Sequence, residues 1–143
     1  MENFDPLKLE NQLCFPLYAC AKEVVRKYKP FLDELDLTYT QYITMMVLWD
    51  IKAINVKELG AKLYLDSGTL TPLLKKLEAK GYITRKRSNA DERSLIVTIT
   101  DSGERLKVKA EEIPSKVGAC IDLSPEKAQC LYNTLYEILN SIT

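Results

Sequence analysis

The sequence predicts a mainly α-helical fold that carries one small β-hairpin. Three observations lead there. Apolar residues recur at three- and four-residue steps along most of the chain, helix caps and stops punctuate them, and only the stretch 82–100 changes to β-prone runs. At 143 residues one domain, 1–143, is expected, with a core that needs no disulfide or metal. Hydrophobic residues at 46% and charged residues at 28% fit a globular chain and exclude a disordered tail.

From Leu7 to about Tyr28, Leu9, Leu13, Leu17, Cys20 and Val24 mark one buried face of a first helix. Pro16 predicts a kink or a late start near Cys14, and Lys29-Pro30 predicts its end. Thr38 or Thr40 caps a second helix running through Ile51, with Tyr42, Ile43, Met46, Val47 and Trp49 as its largely buried surface. Asn55 caps a short third helix, VKELGAKL, with Val56, Leu59 and Leu63 inward. Asp66 or Ser67 caps a fourth, in which Leu70, Leu73, Leu74 and Leu77 face the core and Gly81 is the stop. Tyr82–Arg87 and Leu95–Thr100 read as two strands around the polar loop Ser88–Ser94. Asp101 or Ser102 then caps a long helix towards Ile113, bent or interrupted at Pro114 before Cys120. Ser124-Pro125-Glu126 starts the last helix, whose stripe is Ala128, Leu131, Leu135, Ile138 and Ile142.

Several function classes fall away on composition. The chain has no histidine, which excludes Ser-His and Cys-His catalysis and removes the commonest metal ligand. Cys14, Cys20, Cys120 and Cys130 follow no zinc or CxxC spacing, so neither metal nor cofactor is expected. No apolar run approaches the roughly 18 residues of a membrane span. The opening MENFDPLKLE lacks the basic-then-apolar pattern of a secretion signal. The expectation is a cytoplasmic protein away from membranes, whose thiols are kept reduced. For Cys20 and Cys130 that leaves the role of small buried hydrophobes.

Twenty basic residues balance twenty acidic ones, but the positive charge is not evenly spread. Between Thr71 and Ser94 stand Lys75, Lys76, Lys80, Arg85, Lys86, Arg87 and Arg93 against Glu78, Asp91 and Glu92: seven minus three, or plus four. A charge run by itself fits a solvated face equally well. Helix, short helix, helix and basic hairpin is, however, the order of a winged helix-turn-helix, whose second helix of the pair enters a DNA major groove. Ser67, Thr69, Thr71, Lys75 and Lys76 on the fourth helix and Arg85, Lys86, Arg87, Asp91 and Arg93 on the hairpin are the candidate DNA contacts. Asp91 and Arg93, two apart, would share a face of an extended strand, with the aspartate holding the guanidinium for a minor groove.

The stretch Leu65–Glu78, the pair Gly81-Tyr82-Ile83-Thr84-Arg85 and Asp91-Glu92-Arg93-Ser94, and the entry Ile99-Thr100-Asp101-Ser102-Gly103 resemble the MarR family of winged-helix repressors. The resemblance covers nearly the whole chain. It implies that 37–100 is the winged helix-turn-helix, and that 1–36 and 101–143 supply helices that interlock a homodimer on a pseudo-palindromic double-stranded operator. Asn11-Gln12-Leu13-Cys14-Phe15-Pro16-Leu17-Tyr18 resembles the branch that senses organic hydroperoxides through one cysteine. That resemblance implies Cys14 as redox sensor, Tyr28 and Tyr39 as phenols that hydrogen-bond its thiolate, partly from the other subunit, and release of DNA on oxidation. It also implies capping of the oxidised Cys14 by Cys120 of the other subunit or by a low-molecular-weight thiol. Two alternatives stand beside it: a repressor of the same fold released by a small aromatic ligand, and, from another class, a cysteine-dependent peroxidase.

Overall fold

The computed structural model describes residues 3–91 and 93–143; Met1, Glu2 and Glu92 of the wing motif lie outside the described residues. The chain divides into two compact units, Met1–Ile113 and Pro114–Thr143. The first opens with a single 3-10 turn, Leu9–Asn11, followed by α1 (Cys14–Asp33), α2 (Tyr39–Ile51), β1 (Ala53–Asn55), α3 (Val56–Leu63), α4 (Ser67–Ala79), β2 (Ile83–Arg87), β3 (Leu95–Ile99) and α5 (Asp101–Ala110). α6 (Ile113–Gly118) begins at the boundary, and α7 (Pro125–Ile142) is the long helix of the second unit.

Local chemistry explains most of these boundaries. Thr38 and Gln41 form a capping box at the start of α2: the Gln41 amide donates to Thr38 Oγ1 at 3.3 Å and the Thr38 amide to Gln41 Oε1 at 3.0 Å. Asn55 caps α3 through the Glu58 amide at 2.7 Å, and Asp66 caps α4 through the Thr69 amide at 2.7 Å. Tyr64, left-handed at φ 55°, closes α3 and makes the three-residue turn into α4. Gly81, at φ +82°, ends α4 in a conformation that side chains other than glycine rarely adopt. The cap of α5 is Thr100, one residue earlier than expected, because its hydroxyl accepts the Gly103 amide at 3.1 Å. Ser124 caps α7, with Pro125 at its start.

Four expectations need correcting. α1 does start late, with Pro16 in a first turn whose amides are unpaired in any helix, but it runs through Pro30 to Asp33. Burial of Leu32 in the last turn and of Leu35 just beyond it holds that end in place, with Lys29 and Asp33 paired at 3.0 Å across the proline. The stripe Leu9, Leu13, Leu17 and Val24 is not buried within the chain; Leu13 is 85% exposed. On α2 the core is made by Tyr42, Thr44, Met45, Leu48 and Trp49, while Met46 is exposed. The helix after the hairpin breaks at Glu111-Glu112, before Pro114 and not at it, and Pro114 falls in the first turn of α6.

The hairpin belongs to a three-stranded antiparallel sheet in the order β1-β3-β2. β1 pairs Ile54 with Val97, and β2 pairs Arg85 with the same Val97. Ile54, Val97 and Ile83 are buried, as are Leu59 of α3 and Leu70, Leu73, Leu74 and Leu77 of α4. The core therefore lies between α2, α3, α4 and one sheet face, and it leaves the opposite side of α4 free.

Candidate nucleic-acid interface and reactive thiol

α4 divides along its length. At 100° per residue its four buried leucines span about a quarter of the circumference, and Ser67, Thr69, Thr71, Lys75 and Lys76 are all exposed on the remainder. Gly68 and Pro72 share the centre of this outward face with Lys75, and both were missed because neither offers a polar side chain. Helical periodicity alone would have placed them there. Burial of the leucines fixes the helix, so short hydroxyls and two lysines stand free to meet base edges and phosphates.

On the hairpin, Lys86, Arg87, Asp91 and Arg93 are exposed. Arg87, Ser88, Asn89 and Arg93 line a cleft of about 540 Å³ at the tip, a pocket with two guanidiniums that adds Ser88 and Asn89 to the expected set. The tip is a turn, not extended strand. The Ser94 amide donates to the Asp91 carbonyl at 3.0 Å, and the Asp91 carboxylate accepts the Arg93 backbone amide at 3.0 Å. The aspartate thus shapes the loop through the backbone of Arg93, where a grip on the guanidinium was expected. Arg85 differs from its neighbours: it pairs with Glu78 of α4, Nη2 to Oε1 at 3.1 Å, and its side chain is only 17% exposed. That contact holds the Glu78 carboxyl below the ordinary carboxylate range.

All four cysteines are free and exposed, so Cys20 and Cys130 are not the core residues expected of them. Cys14 is the first residue of α1, and its preceding residue, Leu13, offers no side-chain cap to the helix amides. Tyr28 and Tyr39 meet edge-on, ring centroids 5.0 Å apart, and Tyr42 joins them at 5.8 and 6.3 Å. Burial first, then neighbouring Tyr28, pushes the Tyr39 phenol up, so it remains a protonated donor. These rings are not beside Cys14 of the same chain. Cys14 and Tyr28 stand 14 positions apart on one helix, about 21 Å at 1.5 Å per residue. Cys120 lies in the turn after α6, its Sγ donating to the Lys116 carbonyl at 3.4 Å. Among the described residues no cluster could hold a metal ion and no helix is long and apolar enough to cross a membrane.

Residues 26–110 match the family model described as Transcriptional regulator SarA/Rot. Together with the helix-turn-helix and its wing, this defines the class: the chain belongs to the winged-helix transcriptional regulators of the MarR and SarA/Rot type. Within it, the chain falls in the branch of the organic hydroperoxide resistance transcriptional regulator of Bacillus subtilis (strain 168). The two are 49% identical over 143 residues, 99% of this chain and 97% of the relative. The HTH-type transcriptional regulator SarZ of Staphylococcus haemolyticus (strain JCSC1435) is 45% identical over 133 residues, 93% of this chain and 90% of the relative. These relatives are transcriptional regulators and not enzymes. The crystal structure of AbfR of Staphylococcus epidermidis superposes with a TM-score of 0.74 at 32% identity, over 94% of this chain and 92% of that one. Overoxidized AbfR bound to DNA gives 0.77 at 32%, over 94% and 95%.

Proposed function

We propose that the chain is a homodimeric repressor that binds a pseudo-palindromic double-stranded operator and leaves it when an organic hydroperoxide oxidises Cys14. The observation that carries the reading is the geometry of α1. An exposed cysteine begins the helix, a phenol cluster lies about 21 Å further along, and exposed apolar side chains such as Leu17, Val24 and Val25 run between them. Antiparallel pairing of two copies would bring the cysteine of one to Tyr28 and Tyr39 of the other while covering those side chains. Both phenols then come from the partner subunit. The exposed Leu131, Ile138 and Ile142 of α7 are a further apolar face for the same assembly.

The chemistry balances without a cofactor. The Cys14 thiolate, steadied by phenol hydrogen bonds and by the open amides of the first turn, attacks one oxygen of the hydroperoxide. The S–O bond forms as the O–O bond breaks, the alkoxide takes up a proton and leaves as an alcohol, and sulfur is oxidised by two electrons to sulfenic acid. A thiol then displaces water to give a disulfide, either Cys120 of the other subunit or a low-molecular-weight thiol. Relatives support the scheme: the Bacillus subtilis protein is a regulator of organic hydroperoxide resistance, and AbfR has been solved reduced on DNA and in a disulfide form; overoxidized AbfR has also been solved on DNA, which favours the disulfide over added oxygen as the releasing state. A protein that works on chromosomal DNA with a reduced thiol belongs in the cytoplasm.

The test is DNA binding by wild type and Cys14→Ser with and without cumene hydroperoxide, with mass analysis of Cys14 and non-reducing electrophoresis. Wild type is expected to release DNA and gain one oxygen or a thiol adduct at Cys14, while Cys14→Ser stays bound. Release by Cys14→Ser sinks the thiol scheme. A bridged dimer that disappears in Cys120→Ser assigns the second thiol.

A further inference from the structure

We propose that Arg85 is a positioning residue: with Glu78 it locks the wing to the reading helix, and it makes no contact with DNA. The proposal rests on the DNA-binding reading above and departs from the sequence-based placing of Arg85 among the DNA contacts. Strand alternation turns Arg85 inward. Ile83, two residues before it, is buried, and its cross-strand partner Val97 pairs on the other side with buried Ile54. An arginine in that row points towards α4, whereas Thr84 and Lys86 take the opposite face.

There it meets Glu78 with both ends of its own residue. Glu78 Oε1 accepts from Arg85 Nη2 at 3.1 Å, and Glu78 Oε2 accepts from the Arg85 backbone amide at 3.1 Å. One carboxylate on the last full turn of α4 thereby holds the strand backbone and the guanidinium together. Arg85 Nε is buried with no hydrogen-bond partner. The guanidinium is committed inward, and swinging it out to a phosphate would break the fork and uncover the core row. The connection between the two elements is already closed by the Gly81 amide on the Glu78 carbonyl at 2.9 Å and the Tyr82 amide on the Leu77 carbonyl at 3.1 Å. Those bonds reverse the chain; the fork adds what they lack, a fixed rotation of β2 about α4. A reader that must place α4 in a major groove and a wing tip in the next minor groove needs that angle.

Two roles for Arg85 predict opposite signs in one variant. Glu78→Gln removes a negative charge near DNA and frees the guanidinium, so it tightens binding if Arg85 is a phosphate contact and weakens it if the pair is a clamp. The probes are a duplex selected by wild type from a random-sequence library and a random-sequence duplex. For Glu78→Gln and Arg85→Gln we expect about tenfold weaker binding to the selected duplex. We also expect unchanged binding to the random duplex and an unchanged slope of log K against log salt. A slope shallower by about 0.9 for each phosphate that Arg85→Gln leaves without its cation, or tighter binding by Glu78→Gln, overturns the proposal. Hydrogen exchange at the Arg85 amide of the DNA-free protein gives a readout independent of DNA: Glu78→Gln is expected to speed it, and an unchanged rate also overturns the clamp. If wild type selects no duplex, the DNA-binding reading fails on its own while the exchange result still judges the fork.

Discussion

Gly103 offers a sharp test of how tightly the first unit is packed. It sits in the first turn of α5, its amide donating to Thr100 Oγ1 at 3.1 Å and its carbonyl accepting the Trp49 indole N–H at 2.9 Å. A Cβ added there would lie 2.4 Å from the Tyr82 carbonyl oxygen, 2.8 Å from Ile99 Cγ1 and 3.2 Å from Met45 Cε. The two side chains can give way; the carbonyl cannot, because it accepts the Thr100 amide at 3.0 Å and so belongs to the junction between wing and α5. Relieving the clash must therefore shift α5, at about 1–3 kcal/mol for overpacking and about 1 kcal/mol for each of the two hydrogen bonds it strains. Alanine returns about 1 kcal/mol of helix propensity. Gly103→Ala is thus expected to lose about 2–4 kcal/mol, lowering a urea midpoint by about 1–2 M at a slope near 2 kcal/mol/M. Trp49, the single tryptophan, reports the transition, and protein concentration is held constant because any self-association would add to stability. Gly118→Ala is the control: nothing lies within 4 Å of its added Cβ, so it is expected to be neutral or to gain up to about 1 kcal/mol. A Gly103→Ala midpoint at or above wild type would refute the reasoning.

Lys75→Ala removes an exposed cation from the centre of the outward face of α4, and it should make the salt slope of DNA binding shallower by about 0.9 if the lysine neutralises one phosphate, while leaving the urea midpoint unchanged; a drop in stability with the same slope contradicts the placement. The Asp66 and Glu78 carboxyls are both held low, the first chiefly by the Thr69 amide and the second chiefly by the Arg85 guanidinium. Groups lowered on folding contribute stability that is complete above the ordinary carboxylate value of about 4 and is lost as pH falls through their lowered values. Wild type should accordingly lose urea resistance on acidification below about pH 4, and Asp66→Asn/Glu78→Gln should lose less over the same interval. Equal losses in the two proteins would show that these groups titrate alike in folded and unfolded chains.

Most of the helical frame was legible because its signals are local. Thr38, Asn55, Ser124 and Gly81 act through their immediate neighbours, and the leucines of α4 declare their period within thirteen residues. What failed depends on partners distant in sequence. β1 is three residues long and exists because β3, forty residues later, offers it hydrogen bonds. Pro30 stops a helix by local rules, yet burial of Leu32 and Leu35 carries α1 past it. The apolar stripes of α1 and α7 were correctly seen as periodic, but periodicity does not say whether a face meets its own chain or another copy. Arg85 was legible in principle: the alternation that buries Ile83 also turns Arg85 inward, a reading that its basic neighbours obscured. Cys14 stands apart: composition and periodicity do not separate it from the other three thiols, all of them exposed, so in the sequence its choice rests on likeness to a family, and only the structure adds its place at the uncapped start of α1.

The short strand β1 has a consequence for solubility. Leu95-Ile96-Val97-Thr98-Ile99 joins high β-propensity to an absence of charge, the composition of segments that stack into fibrils when an edge is left open. In a two-stranded wing one side of that run would be a bare row of amides and carbonyls. Ala53–Asn55 occupies it, so β3 is paired on both sides, and the free edges of the sheet fall to a three-residue strand and to the cationic Arg85-Lys86-Arg87. A short edge and a charged edge both discourage a further strand from adding. Three residues between two helices thereby keep the most aggregation-prone stretch of the wing away from its neighbours.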